Sequence, residues 1–212
     1  MIFLPLHHKE HSAGPQSRPM RGPSKSGEPN FPPIVALTGF MAAGKSTVGR
    51  VLGSLIHWNF LDLDFEIECR CHLRIHEIFA RQGERRFREI EAETLRLVLE
   101  HASTPTVIAL GGGTFVQEQN ATLLCSNNIH VVFLELEVEE LLERCRCARE
   151  IAPQNPRPLA DDADAFCRLY AQRLPSYRKA ELTVHAKGKA AEQVAAEIVA
   201  ALHLAACDDR QR

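Results

Sequence analysis

The chain has 212 residues, of which 45% are hydrophobic and 25% are charged, and its formal net charge is −2. This composition is typical of a globular domain and excludes wholesale disorder, collagen-like repeats and a coiled-coil rod. No apolar run approaches the roughly 20 residues that a membrane-spanning helix needs. The small net negative charge disfavours a dedicated nucleic-acid binder, which usually carries a basic surface. We therefore expect no nucleic-acid partner and no membrane association. Our further expectation is a cytoplasmic monomer whose partners are small molecules.

The seven cysteines and ten histidines do not form a recognisable metal or redox motif. The cysteines contain no C-x-x-C pair, and an odd number cannot all pair with one another. His72 and His76 are four residues apart, a spacing that can hold a metal on a helix, but no third ligand is evident nearby. We interpret the cysteines as reduced thiols.

The first 33 residues differ in composition from the rest of the chain. They contain seven of the twelve prolines, with serine, glycine and charged residues between them. Such a segment cannot bury enough apolar surface to offset the entropy lost on ordering, so we predict a disordered extension over residues 1–33. A transit peptide and a true start codon at or after Met20 are the alternatives. We assign residues 34–206 to one domain and residues 207–212 to a C-terminal tail.

From Ile34 onward, short apolar runs alternate with amphipathic stretches, a pattern that predicts strands alternating with helices. The predicted strands cover residues 34–38, 57–61, 106–110, 130–135 and 182–185. The predicted helices cover residues 45–56, 64–71, 75–101, 117–125, 138–149, 165–180 and 190–206. This alternation predicts a three-layer α/β fold, in which a parallel five-stranded sheet has helices on both faces.

A phosphate-binding loop follows the first predicted strand. Residues 39–47, GFMAAGKST, match G-x-x-x-x-G-K-[ST] between a strand and a helix, as this motif requires. Backbone N–H groups and the helix N-terminus would point at a phosphate, Lys45 would reach the β- and γ-phosphates, and the Ser46 hydroxyl would ligate Mg²⁺. The predicted nucleotide contacts in this loop are Gly39, Ala42, Ala43, Gly44, Lys45, Ser46 and Thr47. The alternative is a chance glycine-rich turn.

Two aspartates follow the second predicted strand. Asp62 and Asp64 lie at the carboxyl end of a strand beside the P-loop strand, and open α/β sheets bind ligands at that edge. Residues two apart on an extended segment point in different directions, so one carboxylate can face a metal and the other a substrate hydroxyl. The alternative is that Asp62 or Asp64 caps the following helix.

Two arginines and a glycine run are candidates for binding the acceptor substrate. Arg88 and Arg173 each offer a fork of donors that fits a carboxylate. The alternative for Arg88 is a solvated charge on a helix face, paired with Glu84 or Glu89. The glycines at 111–113 end the third strand, where they either let a substrate lie against bare backbone or form a plain turn.

The P-loop is followed in order by Asp62-Leu-Asp64, Arg88-Glu-Ile-Glu91, Gly111-Gly112-Gly113, Arg157-Pro-Leu and Arg173-Leu-Pro-Ser-Tyr177. This ordered set of motifs resembles the shikimate kinase family. The resemblance covers about residues 34 to 204. It implies a P-loop nucleoside-triphosphatase fold and an enzyme that uses ATP and Mg²⁺ to phosphorylate the 3-hydroxyl of shikimate.

The resemblance also implies a role for each matching residue. Ser46 and Asp62 would hold Mg²⁺, and a lid at about 148–164 would bring Arg157 to the transferring phosphoryl group. The implied catalytic residues are Lys45, Asp64 and Arg157. The implied shikimate-binding residues are Asp64, Arg88, Gly111, Gly112, Gly113 and Arg173. Arg157 and Lys189 are the implied nucleotide contacts outside the P-loop, and Ala42 stands where the family usually has another glycine.

Two other functions remain open at this point. A kinase of gluconate or another small hydroxy acid would keep the P-loop, but it need not keep Arg88, Gly112 and Arg173 together. A ligand-sensing regulator with this fold would bind a nucleotide without turnover. The first 33 residues contain no evident helix-turn-helix, which disfavours a DNA-binding regulator.

Overall fold

The computed structural model describes residues 32–126, 129–151 and 162–206. Its strands are β1 (Ile34–Thr38), β2 (Asn59–Asp62), β3 (Thr106–Ala109), β4 (Ile129–Glu135) and β5 (Leu182–His185). Its helices are α1 (Lys45–Ile56), α2 (Leu63–Cys71), α3 (Ile75–His101), α4 (Glu118–Ser126), α5 (Val138–Ile151), α6 (Ala163–Tyr177) and α7 (Ala191–Leu202). A 3-10 turn at Thr114–Val116 precedes α4.

The strands form one parallel sheet in the order β2-β3-β1-β4-β5. All five residues of the central strand β1 are buried. Val35 and Leu37 face a core formed with α1, α5, α6 and α7, whereas Ile34 and Ala36 face a second core formed with α2, α3 and α4. The predicted α/β fold, with helices on both faces of a five-stranded parallel sheet, is confirmed.

The first helix shows how the sequence sets an element and its end. Val48, Leu52 and Ile56 recur every four residues and bury one stripe of α1 against the sheet. His57 then adopts a left-handed conformation with φ 55° and ends the helix. The predicted start of the second strand at His57 is therefore wrong, and β2 begins at Asn59.

The predicted unbroken helix at 75–101 is also wrong in one respect. Gly83 interrupts α3 with φ 77° and ψ 169°, a backbone conformation that glycine adopts without steric penalty. The segment after Gly83 carries Arg88 and Glu91 toward the sheet edge. Smaller corrections apply at the ends of α6 and α7, which stop at Tyr177 and Leu202.

Parts of the predicted domain organisation lie outside the described residues. These parts are residues 1–31 of the predicted extension, residues 152–161 of the predicted lid, and the tail at 207–212. The predicted domain boundaries therefore stay predictions. Within the described ranges, no helix is both long enough and apolar enough to cross a membrane.

Candidate active site

The P-loop wraps around the point where β1 ends. Gly39, Ala42 and Gly44 have φ values of 144°, 62° and 88°, which turn the backbone in a direction that most residues avoid. A Cβ atom on Gly39 would lie 2.8 Å from the carbonyl oxygen of Leu134 in the neighbouring strand. Only glycine fits there, and the resulting concave backbone is suited to an anion.

The two side chains that complete the P-loop are held in place by hydrogen bonds. Lys45 Nζ donates to the carbonyl oxygens of Gly39 and Phe40, at 3.0 and 2.9 Å, so the ammonium group lies across the loop. Ser46 Oγ donates to Asp62 Oδ2 at 2.5 Å. The structure thus brings together the two oxygen donors predicted to hold Mg²⁺.

Asp62 performs the capping role that the sequence offered as the alternative to metal binding. Its Oδ1 accepts from the backbone N–H groups of Asp64 and Phe65, at 3.1 and 3.4 Å, and so caps α2. Its other oxygen faces Ser46. The capping interpretation is correct, and it leaves one carboxylate oxygen directed at the P-loop.

Asp64 lies in the first turn of α2 and faces the loop formed by Gly111, Gly112 and Gly113, which we call the glycine loop. A Cβ atom on Gly111 would lie 2.7 Å from Asp64 Oδ1. Burial raises the pKa of Asp64 to about 6, opposed by the nearby charge of Lys45 and reinforced by Asp62 and Glu91. A carboxyl with a pKa close to neutral pH can be ionised and still accept a proton from a hydroxyl.

Arg88 is held by a buried carboxylate. Its Nη1 donates to Glu91 Oε2 at 2.9 Å, and the Glu91 side chain is 1% exposed. The other oxygen of Glu91 accepts from Thr114 Oγ1 at 2.7 Å, just beyond the glycine loop. Glu91 therefore fixes the guanidinium of Arg88 relative to residues 111–113.

The alternative interpretation of Arg88 as a solvated charge is only partly correct. Nη2 does donate to Glu84, at 3.2 Å, but the Arg88 side chain is 17% exposed, compared with 54% for Arg86 on the same helix. Nε of Arg88 is buried and has no hydrogen-bond partner within the described part of the chain. Nε and Nη2 form one edge of the fork, which can bind a carboxylate in place of the exposed Glu84.

The glycine loop has Asp64 and Arg88 on one side and the P-loop on the other. A Cβ atom on Gly113 would lie 2.6 Å from Arg88 Nη1, and one on Gly112 would lie 3.5 Å from the backbone nitrogen of Met41. The carbonyl oxygen of Gly112 accepts from Arg173 Nη1 at 3.3 Å. Arg88, Arg173 and the three glycines thus lie around one loop, next to the nucleotide motif.

All of the predicted nucleotide contacts remain predictions, and three of them are not part of the arrangement described above. Arg157 lies outside the described residues. Lys189 forms an ion pair with Glu197 of α7 at 2.7 Å, and Thr47 is exposed in the first turn of α1. Arg144 of α5 also lies close to the P-loop, because a Cβ atom on Gly44 would be 3.9 Å from its Nη1.

Sequence reasoning assigned no role to three residues that build this site: Glu91, Thr114 and Tyr177. The signal for Glu91 was its position three residues after Arg88, which places the two on the same face of a helix. Tyr177 similarly follows Arg173 by four residues, and its hydroxyl donates to the carbonyl oxygen of Gly112. Thr114 gave no comparable signal.

Comparison with known proteins identifies the family. The family model for shikimate kinase matches residues 41–203. The chain belongs to the shikimate kinase family. The predicted resemblance and enzyme class are therefore confirmed, and use of ATP follows from family membership.

Individual shikimate kinases match most of the chain. It is 38% identical over 169 residues to the one from Rhodopseudomonas palustris, with 80% of each chain covered. It is 37% identical over 182 residues to the one from Geobacter sulfurreducens, with 84% of this chain and 96% of that one covered. The solved structure of shikimate kinase from Acinetobacter baumannii in complex with shikimate gives a TM-score of 0.70 at 30% identity, covering 82% of this chain and 94% of that one.

The left-handed conformation of Ala42 predicts that glycine is preferred there. A non-glycine residue in the left-handed region lowers the free energy of unfolding by roughly 1–2 kcal/mol. Replacing it with glycine recovers only part of this, because glycine loses more conformational entropy on folding. We expect Ala42→Gly to raise the free energy of unfolding by up to about 1 kcal/mol. The matched control is Ala43→Gly, at a buried position without a positive φ, which should lower that free energy by about 1 kcal/mol. Urea denaturation measures both, and equal effects would contradict the assigned backbone strain.

The raised pKa of Asp64 predicts a pH-dependent stability. A carboxyl with a higher pKa in the folded state stabilises the fold when protonated, and this contribution is lost as the pH rises through about 6. Asp64→Asn removes that titration. We expect the free energy of unfolding of the variant, relative to the wild type, to increase by up to about 3 kcal/mol between pH 4 and pH 7.

Urea denaturation across that pH range measures the effect of Asp64→Asn. The control is Asp164→Asn, in the exposed first turn of α6, which corrects for the loss of one carboxylate from the chain as a whole. A difference between Asp64→Asn and the wild type that stays constant with pH would show that Asp64 is not desolvated.

Proposed function

We propose that this protein transfers the γ-phosphoryl group of ATP to the 3-hydroxyl of shikimate. The observation that carries this proposal is the arrangement around residues 111–113. Asp64 and Arg88 lie against opposite ends of that loop, Arg173 donates to its central carbonyl, and the P-loop lies alongside. The same edge of the sheet therefore carries groups that can bind a hydroxyl, a carboxylate and a triphosphate.

The residues present fit a magnesium–nucleotide complex. Ser46 Oγ and Asp62 Oδ2 are hard oxygen donors 2.5 Å apart, and Mg²⁺ in kinases is held by one or two such groups together with substrate phosphates. When bound, Mg²⁺ supplies charge neutralisation at the phosphate oxygens. Ser46 and Asp62 would hold the ion, while Lys45 and the P-loop backbone would hold the phosphates.

The acceptor would be bound by a division of tasks among the remaining residues. Arg88 and Arg173 would bind the carboxylate of shikimate through charge-assisted hydrogen bonds. Asp64 would align the 3-hydroxyl toward the γ-phosphorus and accept its proton late in the transfer, which its pKa of about 6 allows. Most of the catalysis would come from this positioning and from cations at the phosphoryl group, Lys45 and Arg157 among them.

The rival functions receive less support from the site. A gluconate kinase need not combine Arg88, Gly112 and Arg173, but here they meet at one loop. A regulator that only senses a ligand needs no group to accept a proton, whereas Asp64 has a pKa raised toward neutrality. We further propose that the protein works as a cytoplasmic monomer, and that it has no nucleic-acid partner, as its small net negative charge suggests.

The carboxylate role of Arg88 predicts a selective effect on acceptor binding. Arg88→Lys keeps the charge but loses the fork, so the KM for shikimate should rise roughly 10- to 100-fold, the range for one or two charge-assisted hydrogen bonds. The KM for ATP should stay nearly unchanged. Steady-state kinetics with each substrate varied in turn measures both constants. The matched control, Arg86→Lys, changes an exposed arginine on the same helix and should leave both constants unchanged.

Arg157 is predicted to act on the chemical step rather than on binding. Arg157→Ala should lower kcat by roughly 10³-fold, since a cation that meets the phosphoryl group contributes most when charge develops there. The KM for shikimate should change little. Single-turnover phosphoryl transfer at saturating substrates measures the step directly. An effect confined to the KM for ATP would make the segment around Arg157 a binding cover with no part in the transfer.

A further inference from the structure

The carbonyl oxygen of Gly112 is held by two donors from the same helix. The Tyr177 hydroxyl and Arg173 Nη1 both donate to it, the latter at 3.3 Å. The two residues lie one turn apart on α6, so both side chains reach the middle of the glycine loop. The backbone that forms the acceptor side of the site is thus anchored by a helix that is distant in the sequence.

The two donors differ in how firmly they are placed. Tyr177 is fully buried, and its ring stacks on Phe133 with the ring centroids 5.2 Å apart. Burial raises its pKa to about 12, so the hydroxyl keeps its proton and remains a donor at neutral pH. Arg173 makes the longer bond and lies 5.8 Å above the ring of Phe40 in the P-loop. Tyr177 is therefore the fixed partner of Gly112, and Arg173 is the partner that can turn to another acceptor.

We propose that Tyr177 is a positioning residue for the acceptor site, which holds the Gly112 carbonyl so that Arg173 is available to the acceptor's carboxylate. This inference rests on the proposed function, because it requires an acceptor that carries a carboxylate. The hydroxyl is engaged by the Gly112 carbonyl, so we assign it no direct contact with either substrate. It acts through Gly112, whose backbone shapes the proposed acceptor pocket. It also acts through Arg173: because the hydroxyl already donates to the Gly112 carbonyl, Arg173 does not have to donate to that partly buried oxygen.

Removing the hydroxyl gives a specific expectation. In Tyr177→Phe the ring and its stacking on Phe133 remain, but Arg173 becomes the remaining donor from α6 to the Gly112 carbonyl. An acceptor carboxylate must then compete with that carbonyl for the guanidinium. Acceptor binding should weaken, while the phosphates and the transfer step, which Tyr177 does not touch, should be unaffected.

The matched control is the other tyrosine of the same helix. The chain contains only Tyr170 and Tyr177, and the Tyr170 hydroxyl donates to the Leu136 carbonyl oxygen at 3.0 Å, away from the glycine loop. Tyr170→Phe thus removes one hydroxyl-to-carbonyl hydrogen bond from α6 without altering Gly112. We expect Tyr177→Phe to raise the KM for shikimate roughly 5- to 10-fold, the range for one hydrogen bond. Its kcat and its KM for ATP should remain within about twofold of the wild type, and Tyr170→Phe should leave all three unchanged.

The outcomes separate this inference from the proposed function. If shikimate is not the acceptor, the wild type and both variants all fail to phosphorylate it, and both proposals fall. If the wild type is active but Tyr177→Phe matches Tyr170→Phe, or loses kcat rather than shikimate affinity, the positioning role is wrong. A double variant with Arg173→Lys supplies a further check, because the effects of the two changes on shikimate KM should not be additive if they share Gly112.

A spectroscopic measurement decides the case if Tyr177→Phe does not fold. In the Tyr170→Phe variant, 3-fluorotyrosine labels Tyr177 alone, since no other tyrosine remains. Its fluorine resonance should shift as shikimate saturates the protein, because Arg173 then leaves the Gly112 carbonyl, to which the Tyr177 hydroxyl also donates. A resonance that stays fixed through saturation would overturn the proposal.

Discussion

Side chains from α2 and α3 approach the backbone of Gly111 and Gly113 so closely that a Cβ atom at either residue would overlap them. It would lie 2.7 Å from Asp64 Oδ1 at Gly111 and 2.6 Å from Arg88 Nη1 at Gly113. Any larger residue would push apart the groups proposed for the hydroxyl and the carboxylate. The distance between those groups, and so the size of acceptor that fits, depends on a loop without side chains.

This close packing places several carboxylates at one end of the sheet. Asp62, Glu91 and Glu68 all raise the pKa of Asp64, although burial is the larger cause, and Lys45 opposes them. Ionised Asp64 is therefore unfavourable for the folded protein at neutral pH, since its charge is both desolvated and next to like charges. Such a group is retained at a cost in stability that a substrate hydroxyl or a cation can offset on binding. The same electrostatics that suit Asp64 to proton transfer thus make it a destabilising residue of the free protein.

Local spacing explains which of these features the sequence could reveal. Three features depend on residues that are close together in the chain: the P-loop, the alternation of strands with helices, and the Asp62–Asp64 pair. The break at Gly83 is hidden because the apolar period continues on both sides of it. Tyr177 is 65 residues from Gly112, so its hydrogen bond depends on how α6 packs, and local patterns do not contain that information. The sequence also left open whether Arg88 is solvated or binds an acceptor, because the burial of Arg88 and Glu91 depends on how α3 packs against the sheet.

Helix α6 connects the two halves of the site. Phe166 and Tyr170 pack edge-on against Phe40 of the P-loop, with ring centroids 5.0 and 5.4 Å apart, while Tyr177 at the other end of the helix holds Gly112. The helix follows directly in the chain after the segment that contains Arg157. Helix α6 therefore packs against both loops, through Phe40 in the P-loop and through Gly112 in the glycine loop. A displacement of α6 would change the contacts of both loops at once, so this helix couples the proposed acceptor site to the proposed nucleotide site, whose alignment phosphoryl transfer requires.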